Sequence, residues 1–103
     1  MTVELLYFDG CPSWQHALEQ VEAALPDASI HLIEIADQAD AERQRFGGSP
    51  TLRVEGRDLF PVDEAEYGLA CRMYLTPGGL RGWPTADMIR AALLNLQQEI
   101  PSV

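Results

Sequence analysis

The stretch that joins the first strand of this chain to its first helix constrains the fold most. An apolar run at residues 3–8 leads into an Asp9-Gly10 turn, and Cys11 and Pro12 follow before an amphipathic pattern begins. Proline suits the first position of a helix, because its missing N–H would have no partner there and its φ is already helical. We therefore expect a buried strand, a tight turn and a helix that begins at Pro12, with Cys11 at the N-cap.

That position favours a reactive thiol at Cys11. Unpaired backbone N–H groups and the positive end of the helix dipole favour a thiolate over a thiol at a helix N-terminus. The formal charge of −9 on the chain opposes this effect, because nearby negative charges disfavour another anion. Salt screens remote carboxylates over about 8 Å. We therefore expect the effect of the helix terminus to be the larger one and to lower the pKa of Cys11 modestly. The alternative is an inert, buried cysteine that packs as a small hydrophobic residue.

A second motif lies downstream, at Gly47-Gly48-Ser49-Pro50-Thr51. This short loop must bend sharply, which a cis peptide bond between Ser49 and Pro50 would allow, although only about 5–6% of such bonds are cis in folded proteins. The likeness of the loop to a known cis-proline motif, described next, leads us to predict the cis bond. An ordinary turn is the alternative.

The turn at Cys11 and the loop at Pro50 resemble the two active-site motifs of the thioredoxin-like superfamily in order and approximate spacing. That superfamily places a Cys-x-x-Cys motif, or a single-cysteine variant, between the first strand and the first long helix, and here Trp14 replaces the second cysteine. The wider pattern is similar to small bacterial thioredoxin-like proteins with Cys-Pro or Sec-Pro at this site, some of them selenoproteins or labelled alkylmercury-lyase-like. The resemblance implies redox or soft-metal chemistry of thiols.

The periodicity of the chain predicts one α/β domain over residues 1–103, in the order β-α-β-α-β-β-α. The resemblance implies a thioredoxin-like fold with a mixed four-stranded sheet flanked by helices, and an insertion of about twenty residues before the last helix departs from the smallest members. After the first helix, the predicted elements are a strand at 30–35, a helix that Asp37 caps and that runs to about Phe46, strands at 50–54 and near 58–60, the insertion at 61–82, and a helix that Thr85 caps and Pro101 ends.

The second cysteine of the chain, Cys71, lies in the insertion. Its apolar neighbours favour a buried structural thiol. In the functional interpretation Cys71 resolves a mixed disulfide or sulfenic acid on Cys11, which requires the insertion to fold back and bring the two Cα atoms within about 7 Å. Arg72 and Arg81 could then bring positive charge towards Cys11 and bind an anionic group such as that of glutathione.

Five further residues complete the predicted site. Asp9 could exchange a proton with the nearby thiol, although an aspartate before glycine is more often a turn residue. Trp14 is either a core anchor for the first helix or an aromatic wall beside the thiol. The predicted substrate-binding residues are Pro12, Trp14, Ser49 and Pro50, since the resemblance implies that the loop at Pro50 offers a backbone edge to which a substrate segment binds as an added strand.

The composition of the chain limits its possible partners and its expected location. Seven Lys and Arg against sixteen Asp and Glu argue against nucleic acid or an anionic membrane as a partner, and no apolar run is long enough to span a membrane. The first residues lack the pattern of a secretory signal, so we expect a cytoplasmic protein whose thiols stay reduced. No metal-ligand spacing surrounds His16 or His31, which we expect at the surface, and no nucleotide fingerprint occurs, so we expect no cofactor and no dedicated metal site.

These features predict a thiol-dependent oxidoreductase that uses Cys11. Its substrate would be a peroxide or a disulfide-bearing protein, and Cys71 or an external low-molecular-weight thiol would resolve the intermediate. The alternative is a soft-metal protein in which Cys11 and Cys71 bind mercury or copper, with Asp9 as the nearest proton donor for organomercurial cleavage. A third interpretation is a vestigial site that only binds a protein partner along the edge at Pro50.

Overall fold

The computed structural model describes residues 1–61 and 66–99. Within those residues the chain forms three helices and two sheets, in the order β1 (Thr2–Tyr7), α1 (Trp14–Ala24), β2 (Ser29–Glu34), α2 (Gln38–Gln44), β3 (Thr51–Val54), β4 (Arg57–Asp58), β5 (Tyr74–Thr76), β6 (Gly79–Arg81) and α3 (Ala86–Glu99). The predicted α/β class is confirmed. None of the described helices is both long enough and apolar enough to cross a membrane.

The main sheet has four strands in the order β2-β1-β3-β4. β1 runs parallel to β2 and antiparallel to β3, and β3 runs antiparallel to β4. This is the mixed four-stranded sheet that we predicted. β5 and β6 form a separate antiparallel hairpin inside the predicted insertion.

The central strand β1 contributes to hydrophobic clusters on both faces of the sheet. Leu5 belongs to the larger cluster, which includes buried residues of α1 and α3, and α1 and α3 contact each other. Leu6 points to the opposite face, where it packs with Ile35, Ala41 and Phe46 around α2. Because successive residues of a strand face opposite sides, a strand covered on both sides is apolar throughout, as the run at residues 3–8 indicated.

The start of α1 differs from the prediction. The helix begins at Trp14 with Ser13 at the N-cap, so the placement of Pro12 at the first helical position and of Cys11 at the N-cap is wrong. The N–H of Cys11 instead donates to the carbonyl of Phe8 at 3.1 Å and closes the turn after β1. Cys11 thus belongs to the turn, and Pro12 and Ser13 connect the turn to the first residue of α1.

The other predicted boundaries are close to the observed ones. Both caps are confirmed: the side chain of Asp37 accepts the N–H of Asp40 at 2.8 Å, and that of Thr85 accepts the N–H of Met88 at 3.2 Å. β2 is shifted by one residue, and among the described residues no strand pairs with its outer edge. The predicted helix end at Pro101 lies outside the described residues.

β4 begins earlier than the predicted strand near 58–60. Glu55 and Gly56 both have positive φ, 53° and 77°, which is the conformation that a tight two-residue hairpin turn requires. The turn pairs Val54 with Arg57 and Arg53 with Asp58. The chain therefore re-enters the sheet immediately after Gly56.

The position of β1 at the centre of the sheet predicts unequal effects of two leucine substitutions. Leu5 is fully buried, so Leu5→Ala should lower the free energy of unfolding by about 3 kcal/mol, measured by urea denaturation. Leu32 is the register partner of Leu5 on β2 but is 42% exposed, and Leu32→Ala should cost less than about 1 kcal/mol. Equal losses would contradict this arrangement.

Candidate functional site

The site is built around the Cys11 thiol, which the structure buries. Cys11 is 4% exposed and lies in the connection between β1 and α1. Its Sγ donates a hydrogen bond to the carbonyl oxygen of Ser49 at a distance of 3.7 Å. The two sequence motifs, which are 38 residues apart in the chain, therefore lie against each other.

The loop opposite Cys11 has the predicted backbone. The Ser49–Pro50 peptide bond is cis, which confirms the prediction. Ser49 and Pro50 are both fully buried, and the carbonyl of Pro50 accepts the hydroxyl of Tyr74 at 2.5 Å. The hydroxyl of Thr51 donates to the carbonyl of Gly48, also at 2.5 Å. Side chains on both sides thus hold the loop in place.

Residues 66–72, which we call the return segment, run back along this loop. The N–H of Ser49 donates to the carbonyl of Ala70 at 2.8 Å, and the N–H of Arg72 donates to the carbonyl of Ser49 at 2.9 Å. These two bonds form a parallel bridge between Ser49 and Cys71. The insertion therefore folds back over the site. Cys71 could react with Cys11 only if it did so.

The same pairing changes the expectation for substrate binding. The backbone edge at Ser49, to which the family resemblance would bring a substrate strand, already carries residues of this chain. A substrate would reach the backbone groups of Ser49 only after the return segment moved. The roles of Ser49 and Pro50 as substrate contacts stay predictions.

A glycine allows the return segment to approach so closely. Gly48 has a φ of +133°, and a Cβ at this position would lie 3.1 Å from the Cβ of Arg72 and 3.3 Å from the carbonyl oxygen of Ala70. Further along, the N–H of Gly68 donates to the carbonyl of Phe46 at 3.1 Å. The second glycine of the Gly47-Gly48 pair therefore makes room for the return segment, a role that the sequence alone did not indicate.

The return segment brings Cys71 alongside Ser49, the residue whose carbonyl accepts the thiol of Cys11. Both cysteines are free, and Cys71 is exposed whereas Cys11 is buried. Partial loss of hydration is the main cause that raises the pKa of Cys71, followed by the negative charge of an ionised Cys11 and by a hydrogen bond with Cys11. A hydrogen bond raises the pKa of a thiol when the protonated form donates it.

Arg72 anchors the return segment in the body of the protein. It is only 7% exposed, and its guanidinium pairs with Asp58 at 2.7 Å and donates to the carbonyl of Phe60 and, at 3.4 Å, to the hydroxyl of Thr51. It also lies 5.0 Å from the ring centre of Tyr74. The charge of Arg72 is thus paired with a carboxylate, contrary to the expectation that it would serve an anionic substrate near Cys11.

Tyr74 lies next to this ion pair and remains a neutral phenol. Burial is the main cause that raises its pKa, with the charge of Asp58 acting in the same direction and that of Arg72 opposing it. Because the hydroxyl stays protonated, it can donate to the carbonyl of Pro50 throughout the physiological pH range.

The remaining predicted residues lie at the rim of the site. Asp9 and Pro12 are exposed, and within the described part of the chain Asp9 makes no hydrogen bond to Cys11. The indole of Trp14 stacks on the ring of Tyr7, with centres 4.1 Å apart and planes inclined at 23°, and packs against the larger hydrophobic cluster. These contacts favour the interpretation of Trp14 as a core anchor.

Contacts at the far end of the insertion were not predicted. A Cβ on Gly82 would lie 2.9 Å from the Cβ of Ser13, so the chain after β6 passes directly over the start of α1. The ring of Trp83 stacks on that of His16 with centres 4.3 Å apart. The only sequence signal for this packing is the pair Gly82-Trp83 before α3, a residue without a side chain followed by a large aromatic one.

Comparisons with known proteins add no relative. No model of a protein family, no curated protein and no solved structure matches the chain. The resemblance to the thioredoxin-like superfamily therefore stays a prediction. Within residues 1–61 and 66–99, no group of three or more His, Cys, Asp or Glu side chains is arranged to hold a metal ion.

The anchoring role of Arg72 predicts a marked loss of stability on substitution. Arg72→Met should lower the free energy of unfolding by about 3 kcal/mol in urea denaturation, because it leaves the partly buried Asp58 without its partner. Arg90→Met is the matched control, since Arg90 pairs with the exposed Asp87 on the surface of α3 and should lose less than about 1 kcal/mol. Similar losses in the two variants would contradict the anchoring role.

The raised pKa of Cys71 predicts how its alkylation depends on pH. Its rate with iodoacetamide, followed by peptide mass spectrometry, should still rise above about pH 8.5, where an ordinary thiol is half ionised. Cys11→Ala removes the neighbouring charge and the hydrogen bond, so the midpoint should move to lower pH. The shift should be partial, because the loss of hydration remains. A midpoint that stayed in place or rose would contradict the contact between the thiols.

Proposed function

We propose that this protein is a thioredoxin-like thiol oxidoreductase whose redox pair is Cys11 and Cys71. The observation that supports the proposal most strongly is the bridge between Ser49 and Cys71, because the carbonyl of Ser49 also accepts the thiol of Cys11. Both cysteines thus meet at one residue of the same loop, and a disulfide between them would require their Cα atoms to lie within about 7 Å. A pair that must return to the dithiol after each cycle is best served by a reducing compartment, so we place the proposed reaction in the cytoplasm.

The proposed reaction cycles the pair between dithiol and disulfide. With a disulfide substrate, one cysteine thiolate attacks a substrate sulfur and expels a thiolate, and the second cysteine then attacks the mixed disulfide and expels the other. With a peroxide, the first thiolate becomes a sulfenic acid, and condensation with the second thiol releases water. Each route removes two electrons from the pair, and an external low-molecular-weight thiol or a protein dithiol returns them.

The residues around the pair support such a cycle. The carbonyl of Ser49 accepts the Cys11 thiol and orients it, and the Arg72 anchor restricts the motion of Cys71. Fixing two groups in reacting geometry raises their effective concentration strongly. Asp9, exposed in the turn beside the site, is a candidate for proton exchange with the sulfur.

The same pair of thiols favours one alternative function, the capture of a soft metal. Two thiolates suffice for mercury(II) or copper(I), which accept low coordination numbers and prefer sulfur ligands. The lack of a larger ligand cluster among the described residues does not oppose such a two-sulfur site. Redox cycling without metal would favour the first proposal, and tight binding of one metal ion per chain, lost in either cysteine variant, would favour this one.

Oxidation of the purified protein tests the proposal directly. Mild treatment with hydrogen peroxide or oxidised 2-mercaptoethanol should yield a monomer two hydrogens lighter by mass spectrometry, because the chain has only two cysteines. Cys11→Ser and Cys71→Ser should each abolish this product, and excess reductant should restore the dithiol in the wild type. If dilute wild-type protein gave only intermolecular disulfides or sulfinic acid, the proposed pair would be wrong.

A further inference from the structure

The two sulfurs of the proposed pair differ sharply in access to solvent. Cys11 is 4% exposed, whereas Cys71 is exposed. Side chains alternate along the chain from Cys71: Arg72 and Tyr74 are buried, while Met73 and Leu75 are exposed. This alternation, typical of extended backbone, sets the Cys71 side chain on the outer surface.

The geometry of thiol–disulfide exchange makes this difference decisive. The incoming sulfur approaches in line with the bond that breaks, from the side opposite the leaving sulfur, so access to the attacked sulfur controls the rate. In a Cys11–Cys71 disulfide, attack on Cys71 comes from the exposed side. Attack on Cys11 would come from the opposite side, where the β1–α1 connection and the loop at Ser49 bury this residue and hinder an incoming thiolate.

We propose that Cys71, and not Cys11, is the sulfur that exchanges with thiols and disulfides from outside the protein, and that Cys11 is the internal partner. This inference rests on the proposed redox pair and reverses the roles that the sequence motif suggests. The expected partners are thiols and disulfides that react at an accessible sulfur on the outer face of the insertion.

External thiols would reduce the internal disulfide in two exchange steps. An external thiolate attacks the Sγ of Cys71, a new disulfide joins the external sulfur to Cys71, and the bond to Cys11 breaks with Cys11 leaving as a thiolate. A second external thiolate attacks the external sulfur of this mixed disulfide, and Cys71 leaves as a thiolate. Protons from solvent convert both cysteines to thiols. Two external thiols become one disulfide, and the protein disulfide gains two electrons.

The oxidative steps run in the opposite direction. The Cys71 thiolate attacks one sulfur of an external disulfide and expels an external thiolate. The Cys11 thiolate then attacks the Sγ of Cys71, forms the internal disulfide and expels the second external thiolate. Cys11 never bonds to the external molecule, so the buried residue needs no path to solvent.

Two single-cysteine variants test this assignment. Cys11→Ser retains only Cys71, and Cys71→Ser retains only Cys11. With excess neutral 2-hydroxyethyl disulfide at pH 8, we expect the mixed disulfide to form at least about tenfold faster in Cys11→Ser, followed by mass spectrometry. In guanidinium chloride the two variants should react at similar rates, which shows that the difference comes from the fold. Equal rates in the native state, or a faster reaction of Cys11, would overturn the proposal.

A measurement on the wild type does not depend on the folding of the variants. The oxidised protein is mixed with 2-mercaptoethanol, quenched in acid within milliseconds to seconds, alkylated and digested. The adduct should lie on Cys71 and the alkyl group on Cys11, and the reverse pattern would overturn the assignment. Failure of the wild type to form an internal disulfide would refute the proposed pair, while the comparison of the single-cysteine variants would still decide which thiol meets external disulfides.

Discussion

The candidate site depends on the backbone pairing between Ser49 and residues 70 and 72. Two hydrogen bonds of 2.8 and 2.9 Å fix the return segment against the loop that holds the cis-proline. Without them, Cys71 would be an ordinary surface thiol in a long connection. With them, the exposed Cys71 pairs with Ser49, whose carbonyl accepts the thiol of the buried Cys11 from a distant part of the chain.

This pairing is held from three directions, and each anchor uses a different kind of interaction. A backbone hydrogen bond from Gly68 ties the start of the return segment to Phe46, two residues after the end of α2. The buried guanidinium of Arg72 ties its end to the edge of the sheet through Asp58. Beyond the β5–β6 hairpin, Gly82 and Trp83 pack on the start of α1. Packing, charge and hydrogen bonding thus convert a long insertion into part of the site.

The sequence predicted the features that depend on local chemistry. Asp37 and Thr85 cap helices because a short polar side chain satisfies a nearby N–H. The cis bond before Pro50 was predicted from the bend of its loop together with the motif resemblance, and it is confirmed. The prediction of the start of α1 was wrong, since Cys11 closes a turn onto the carbonyl of Phe8 and the helix begins three residues later. The approach of Cys71 could not be foreseen, since it depends on a guanidinium finding its carboxylate across fourteen residues and on the space beside Gly48.

Burial and ionisation act in opposite directions on the choice of the reacting sulfur, and their magnitudes decide between them. A raised pKa lowers the thiolate fraction of Cys71, but a more basic thiolate is also a better nucleophile. With a Brønsted slope of about 0.4–0.5, each unit of increase above the ambient pH slows attack only about threefold to fourfold. Burial of Cys11 has no such compensation, because restricted access slows attack on a sulfur at every pH. In the proposed pair, access would therefore outweigh ionisation, and the residue that a motif marks as the nucleophile need not be the one that meets the substrate.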